Sequence, residues 1–147
     1  MPGLSSRVTV ASHILAFLAS RRDDLVASPE LARSVHTTPV VVRRLIGALR
    51  AAGLVEVQAG GAGGARLARS PAEITLLDAY RAVEVDALFT LHTREPQREC
   101  SVGANIQGVL WPVFCQAQAA METVLGRVTV EDIRESIAAR IPMEGCR

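Results

Sequence analysis

Two threonines and two arginines lie within eight residues of one another and could together bind an anion. Thr37 and Thr38 stand immediately before Pro39, and Arg43 and Arg44 follow about one helical turn later. Proline is favoured in the first turn of a helix, where its missing N–H costs nothing, so a helix is predicted to begin here. A helix N-terminus offers unpaired N–H groups and the positive end of the helix dipole. Hydroxyl, guanidinium and N–H groups gathered at one helix end are suited to binding phosphate.

The helix that carries these residues is predicted over 39–52, with Gly53 as the residue that ends it. Its helical spacing predicts an apolar side made of Val41, Leu45, Ala48, Leu49 and Ala52. The opposite side is predicted to carry Val40, Arg43, Arg44, Gly47 and Arg50. A shorter helix is predicted just before it, with Ser28 as N-cap and Pro29 as the first helical residue.

Three further elements flank this helix pair. Apolar residues recur at helical spacing over 8–19, and Ser5 or Ser6 can cap that helix. Residues 54–58 alternate like a strand, and residues 65–68 can return as its partner. Between them, residues 60–64 form a glycine-rich tip that contains Gly63 and Gly64, with Arg66 near its base. The order of helix, short helix, turn, longer helix and hairpin is that of a winged helix-turn-helix.

A winged helix-turn-helix is suited to binding double-stranded DNA, because a helix fits the major groove and a glycine-rich wing approaches the minor groove closely. Residues 1–70 hold nine arginines against four acidic residues, whereas 71–147 hold seven against eleven, which favours an anion-facing first half. The candidate DNA-binding residues are Ser28, Thr37, Thr38, Pro39, Val40, Arg43, Arg44, Gly63, Gly64 and Arg66. The threonines could instead be only caps, the arginines a solvated face, and the glycines a plain flexible hairpin.

Capping patterns organise the second half of the chain. Thr75-x-x-Asp78 predicts a helix through Val83, and Thr129-x-x-Asp132 predicts a last helix through Arg140. Residues 90–103 lack periodicity and are predicted to form a loop, and a long helix is predicted over 104–125. The fold class predicted overall is mostly α (α+β), with a DNA-binding domain over 1–70 and a helical linker, loop and dimerisation region over 71–147.

Taken together, these segments resemble the Rrf2 family of bacterial winged-helix transcriptional regulators. The resemblance is carried by residues 39–45, 49–55, 63–68, 74–78, 82–84, 100–107 and 129–133, and so covers nearly the whole chain. It implies a homodimer that binds a palindromic operator, acting as a repressor, with the long helix as the dimer contact. The family pattern also has an arginine before the wing glycines and an aromatic residue after them, where this chain has Ala59 and Ala65.

The residues of the long helix also favour a dimer, since apolar side chains wrap more than one stripe and a small monomer covers mainly one. The predicted dimer contacts are Ile106, Val109, Leu110, Val113, Ala117, Met121 and Val124. A central helix within a monomer is the alternative.

The three cysteines, Cys100, Cys115 and Cys146, form no Cys-x-x-Cys pair and predict neither a disulfide framework nor a compact zinc site. Some members of the family bind an iron–sulfur cluster through three cysteines in the loop before the long helix. Here that loop holds only Cys100, and Asn105 stands at the position of the last ligand, so no cofactor and no metal are predicted. Cys100 could instead be a redox-sensing thiol, activated by Arg98 and the nearby helix N-terminus, or all three cysteines could be inert, with Cys115 packed in the long helix.

Several classes of protein are excluded by the same sequence. The charge-free run between Glu99 and Glu122 contains proline, asparagine and glutamine, so it predicts a helix buried against protein rather than a membrane span. The N-terminus lacks the apolar core of a secretory signal, and a cytoplasmic protein is expected. No nucleophile–base pair or phosphate-binding loop indicates an enzyme. A winged-helix module that binds protein instead of DNA is the alternative function.

Overall fold

The computed structural model describes residues 6–140, a range that contains six helices and one two-stranded antiparallel sheet. The predicted class, mostly α with a small β component, is confirmed. The elements are α1 (Ser6–Ser20), α2 (Ser28–Val35), α3 (Pro39–Ala51), β1 (Val55–Gln58), β2 (Gly64–Leu67), a 3-10 turn (Pro71–Glu73), α4 (Leu76–Val83), α5 (Ser101–Gly126) and α6 (Val130–Ala138). The candidate cap Ser5 and Cys146 lie outside the described residues.

The core forms around α1, whose Ile14, Leu15 and Leu18 are fully buried. The same cluster contains side chains from both halves of the sequence: Leu31, Val42, Leu45, Leu49, Leu54, Ile74, Ala79 and Val130. Helices α4 and α6 therefore pack into the core that the first seventy residues begin. Helix α5 contributes no buried residue and extends away from this core.

Both predicted capping boxes are present, one at the start of α4 and one at the start of α6. The Thr75 hydroxyl accepts a hydrogen bond from the Asp78 backbone N–H (3.1 Å), and the Asp78 carboxylate accepts one from the Thr75 N–H (2.9 Å). Thr129 and Asp132 repeat the arrangement at 3.0 and 2.7 Å. An antiparallel bridge joins Thr75 to Thr129, so the N-termini of the two helices lie side by side.

The start of α2 and both ends of α3 match their predicted positions within one residue, but the predicted N-cap of α2 and part of the predicted apolar side of α3 are wrong. Ala27, not Ser28, is the N-cap of α2, and Ser28 is already helical, so its hydroxyl makes no cap hydrogen bond. On α3, Val42 is fully buried and Val41 is exposed, because the core contacts the face of Val42, Leu45, Ile46 and Leu49. A helix that starts with three successive valines does not specify by sequence which one faces inward.

The wing is attached to the body of the protein by more than its own hairpin. Strands β1 and β2 pair with Val55 opposite Leu67 and Gln58 opposite Gly64. Val26, just before α2, adds a further bridge by exchanging two backbone hydrogen bonds of 2.9 Å with Ala65. Ala65 is consequently buried, and its small side chain faces the core.

Gly64 is required by this attachment. A Cβ atom at Gly64 would lie 2.6 Å from the carbonyl oxygen of Val26, whereas one at Gly61 would meet nothing within 4 Å. We therefore expect Gly64→Ala to lower the free energy of unfolding by about 1–3 kcal/mol, as overpacking does elsewhere. Thermal denaturation measures this directly, and Gly61→Ala is the matched control that should leave the melting temperature unchanged. Equal melting temperatures for both variants would contradict the interpretation.

Helix α5 begins three residues earlier than predicted, at Ser101, with Cys100 as its N-cap. Asn105 lies within the helix, as the predicted range 104–125 has it, and its side-chain amide donates to the Ser101 carbonyl (2.8 Å). Cys115 is exposed rather than packed. Ser101 and Gly103 interrupt the apolar periodicity, so the periodicity does not extend to the true start of the helix.

The two sides of α5 differ in their surroundings. On one side, the Phe114 ring stacks on Phe89 of the preceding loop with centroids 4.8 Å apart, and Glu122 pairs with Arg81 of α4 (2.7 Å). The other side carries exposed valines at helical spacing: Val102, Val109, Val113 and Val124. Only one side of this helix is covered by the described part of the chain.

Candidate nucleic-acid interface

Helix α3 is held at the surface by a tight turn after α2 and by two contacts that join α2 to α1 and to the residue that follows α1. Three residues separate α2 from α3, and the first of them, His36, takes a left-handed backbone conformation (φ 61°). The Thr37 N–H donates to the Ala32 carbonyl at 2.9 Å, which closes the turn. His13 Nε2 lies 2.8 Å from Ser34 Oγ, and Arg21 pairs with Glu30. Helix α2 is thereby fixed to α1, and α3 is presented outward.

The start of α3 uses its polar groups in different ways. The Thr38 hydroxyl accepts a hydrogen bond from the Val41 N–H (3.4 Å), so Thr38 is the N-cap, and Pro39 follows as the first helical residue. Thr37 is partly exposed and makes no side-chain hydrogen bond among the described residues. Thr37 therefore has its whole hydroxyl available to a ligand, and Thr38 keeps its O–H as a donor.

The outward face of α3 is the predicted one. Val40, Arg43, Arg44 and Gly47 are exposed at spacings of three and four residues, and exposed Arg50 continues the surface toward the helix end. Within residues 6–140, none of these three arginines forms an ion pair, although six other arginines do. Their guanidinium groups can bind an external anion without first breaking an internal contact.

The wing differs in this respect. Arg66 lies directly across the sheet from Glu56, and the two side chains form a hydrogen-bonded ion pair. Gly63 and Gly64 are both needed by the backbone of the hairpin, because a Cβ atom at either would collide with neighbouring main chain. The wing therefore presents a neutral pair and a compact glycine tip. The sequence analysis did not single out Glu56. Glu56 and Arg66 carry opposite charges on two strands that were predicted to pair, and this was a usable signal.

Arg33 is a second residue that the sequence-based selection left out. It is exposed on α2 and, among the described residues, it forms no ion pair. Ser28, by contrast, lies half-buried in the first turn of α2. The signal that would have found Arg33 is its position on the outer side of a short helix whose buried residues are Leu31 and Ala32.

Cys100 is the N-cap of α5 and is not part of the α3 surface. Its thiol is exposed, and the backbone N–H groups of Gly103 and Val102 lower its pKa below the ordinary value of a thiol. The predicted activation of this thiol by Arg98 is wrong, because Arg98 pairs with Glu95 at 3.0 Å. The local helix N-terminus alone accounts for the shift.

The described residues do not fit an iron–sulfur cluster. The His92 ring is 3.1 Å from both the N–H and the carbonyl of Arg94, and the Asn105 amide is bonded within α5. Among residues 6–140 no three His, Cys, Asp or Glu side chains come together as a set that could hold a metal. That this chain uses no cluster stays a prediction, with Cys146 beyond the described range.

Helix α1, the α2–turn–α3 unit and the hairpin attached at Val26 define a winged helix-turn-helix protein. Residues 4–136 match the model of the Rrf2 family, described as an iron-dependent transcriptional regulator. The chain belongs to the Rrf2 family of DNA-binding transcriptional regulators, and not to a family of enzymes.

Relatives support the same assignment along nearly the whole chain. YwnA of Bacillus subtilis (strain 168), named as an HTH-type transcriptional regulator, is 40% identical over 131 residues, which cover 88% of this chain and 96% of YwnA. A crystal structure described as that of a DNA-binding protein is 38% identical with a TM-score of 0.71, covering 87% of this chain and 98% of that one. The IscR structure from T. potens is 22% identical with a TM-score of 0.70, covering 97% and 93%, and shows the fold alone.

The polar residues within the long apolar run predict that it does not span a membrane. Among residues 6–140, no helix has both the length and the apolar content needed to cross a bilayer.

Proposed function

We propose that the chain is a sequence-specific DNA-binding regulator that inserts α3 into the major groove. The observation that carries this proposal is the outward face of α3, where Arg43, Arg44 and Arg50 are exposed and form no ion pair with the rest of the described chain. Thr37, Thr38, Pro39 and Val40 stand at the end of α3 that would enter the groove first, and Ser28 lies at the start of α2. Arginines of this kind bind phosphates or guanine edges.

The test is a titration of the protein onto fluorescent duplex DNA from upstream of its own gene, followed by anisotropy at several salt concentrations. Because neutralised phosphates release counterions, affinity should fall steeply as salt rises, and it should exceed the affinity for a scrambled duplex of equal composition. Equal anisotropy changes on both duplexes, with no dependence on salt, would refute sequence-specific DNA binding.

We propose further that the active form is a homodimer joined through α5. The supporting observation is the uncovered side of this helix, where four exposed valines follow one another at helical spacing on a segment of 26 residues. Ile106, Leu110, Ala117 and Met121 are only partly buried on the adjoining positions, and Val109, Val113 and Val124 complete the predicted contact. Two-fold pairing of this surface would place two α3 helices in successive major grooves, about 34 Å apart, on a palindromic site.

Repression is the regulatory effect that this arrangement favours. A dimer covering two adjacent major grooves occupies promoter DNA that RNA polymerase would otherwise contact, in the cytoplasm where both act. In vitro transcription from the gene's own promoter tests this proposal, with reduced transcript expected as protein is added. A rise in transcript would instead define an activator.

The wing supports an alternative function, a winged-helix module that binds protein rather than DNA. The Arg66 guanidinium is paired with Glu56, so the wing offers no unpaired cation to the minor groove. The salt titration decides between the two functions, since a protein-binding module would show no steep salt dependence on DNA.

For a signal, we propose Cys100 as the position at which oxidation is sensed, because its thiol is exposed and its pKa is lowered by the start of α5. A thiol with a lowered pKa is thiolate at lower pH, and the thiolate is the reactive form. The experiment uses a Cys115→Ser/Cys146→Ser variant and measures the rate of alkylation by iodoacetamide as the pH is raised. The rate should increase at a lower pH in the folded protein than in the protein unfolded in urea. Coincident pH profiles would contradict an activated Cys100.

A further inference from the structure

The first turn of α3 exposes apolar side chains that do not pack against the core. Of the three consecutive valines, Val42 is fully buried, but Val40 is 61% exposed and Val41 is 41% exposed. Valine is a weaker helix former than alanine because its branched side chain loses rotamer freedom in a helix. At exposed positions these two side chains therefore cost helix stability without adding to the core.

Few polar groups lie within the first turn of α3 itself, and Arg43 and Arg44 follow one turn further along the helix. The Thr38 hydroxyl is occupied as the N-cap by the Val41 N–H, and Pro39 has no N–H to donate. Gly47 lies on the same face about two helical turns after Val40. A Cβ atom there would meet nothing within 4 Å, so no protein contact requires glycine at this position. This part of α3 thus combines an apolar projection with a position where the backbone can be approached closely.

The major groove contains one apolar group that such a surface would fit. Among the base edges it exposes, only thymine offers a methyl group, on C5, and apolar side chains contact it. We propose that Val40 and Val41 determine sequence preference by contacting thymine methyl groups, while the arginines of the same helix bind phosphates or guanine. This inference rests on the proposed function and adds to it the chemical basis of specificity.

The experiment uses a duplex obtained by selecting the reduced full-length protein against random double-stranded DNA. Thymines of the enriched sequence are replaced by deoxyuridine, which pairs identically and lacks only the C5 methyl. Burying one methyl group corresponds to a change in affinity of about three- to fourfold. Replacement of a symmetry-related thymine pair contacted by the valines should therefore weaken binding by roughly tenfold.

A Val40→Ala/Val41→Ala variant identifies the residues responsible. Both positions are exposed, so the variant should fold with an equal or higher melting temperature. It should bind the thymine and uracil duplexes with equal affinity while keeping the steep salt dependence of the wild type. Val85→Ala, an exposed valine in the loop after α4, is the matched control and should keep the full preference for thymine.

The possible outcomes distinguish a failure of this inference from a failure of the proposed DNA-binding function. Sequence-selective, salt-sensitive binding that is indifferent to every thymine-to-uracil replacement would overturn the role of the valines and leave the regulator intact. Failure to enrich any sequence, with no salt-sensitive binding, would overturn the proposed function and this inference together. A thymine preference that persists in the double variant would assign the methyl contact to other residues and overturn the inference alone.

Discussion

Replacing Arg43 and Arg44 together by alanine is expected to weaken operator binding by about a hundredfold or more. Each arginine contact is worth about 1–3 kcal/mol, and a two-fold dimer would make every contact twice. Both side chains are exposed and make no ion pair within residues 6–140, so their loss removes nothing from the fold. Anisotropy titration measures the affinity, and an unchanged melting temperature would show that the effect arises at the interface.

The salt dependence tells which groups of the DNA the two arginines bind. If they bind phosphates, the slope of log affinity against log salt should flatten by about 0.9 for each contact removed. If they bind guanine, the slope should change little and base preference should relax. Arg127→Ala removes an exposed arginine from the turn after α5 and serves as the control for charge alone. Wild-type affinity and slope in the double variant would refute the assignment of α3 as the recognition helix.

Much of the winged unit could be predicted because its local signals are strong and agree with one another. Pro39 and Gly53 mark the two ends of α3, and the Thr-x-x-Asp patterns fixed the starts of α4 and α6. In each case one residue type satisfies a backbone requirement that few others can. The outward face of α3 followed from helical spacing once those ends were set.

What could not be predicted depends on contacts between distant segments. Whether Val41 or Val42 faces inward is decided by which side of α3 meets the core that α1, α2, α4 and α6 share, and those segments lie outside any local window. The anchoring of the wing by Val26, and the pairing of Arg66 with Glu56, arise from strand register. The true start of α5 at Ser101 could not be predicted because Ser101 and Gly103 interrupt its apolar periodicity.

A substitution on the exposed side of α5 is expected to have the second large effect, on dimerisation and on DNA affinity. Val113 is 56% exposed in the described chain and lies among the valines of the uncovered side. Val113→Glu is expected to convert the protein from dimer to monomer, because a two-fold contact would bury two carboxylates close together without partners. Monomers bind each half-site separately and lose the advantage of linkage, so operator affinity should fall by about a hundredfold or more.

A matched variant separates this effect from damage to the helix. Ala104 is exposed on α5 nine residues before Val113, which is two and a half turns and therefore the opposite side. Ala104→Glu introduces the same charge and should leave both the dimer and the DNA affinity unchanged. Sedimentation velocity at micromolar concentration gives the oligomeric state, and circular dichroism gives the helix content. A dimeric Val113→Glu protein with full operator affinity would show that the uncovered valines face something other than a second copy of this chain.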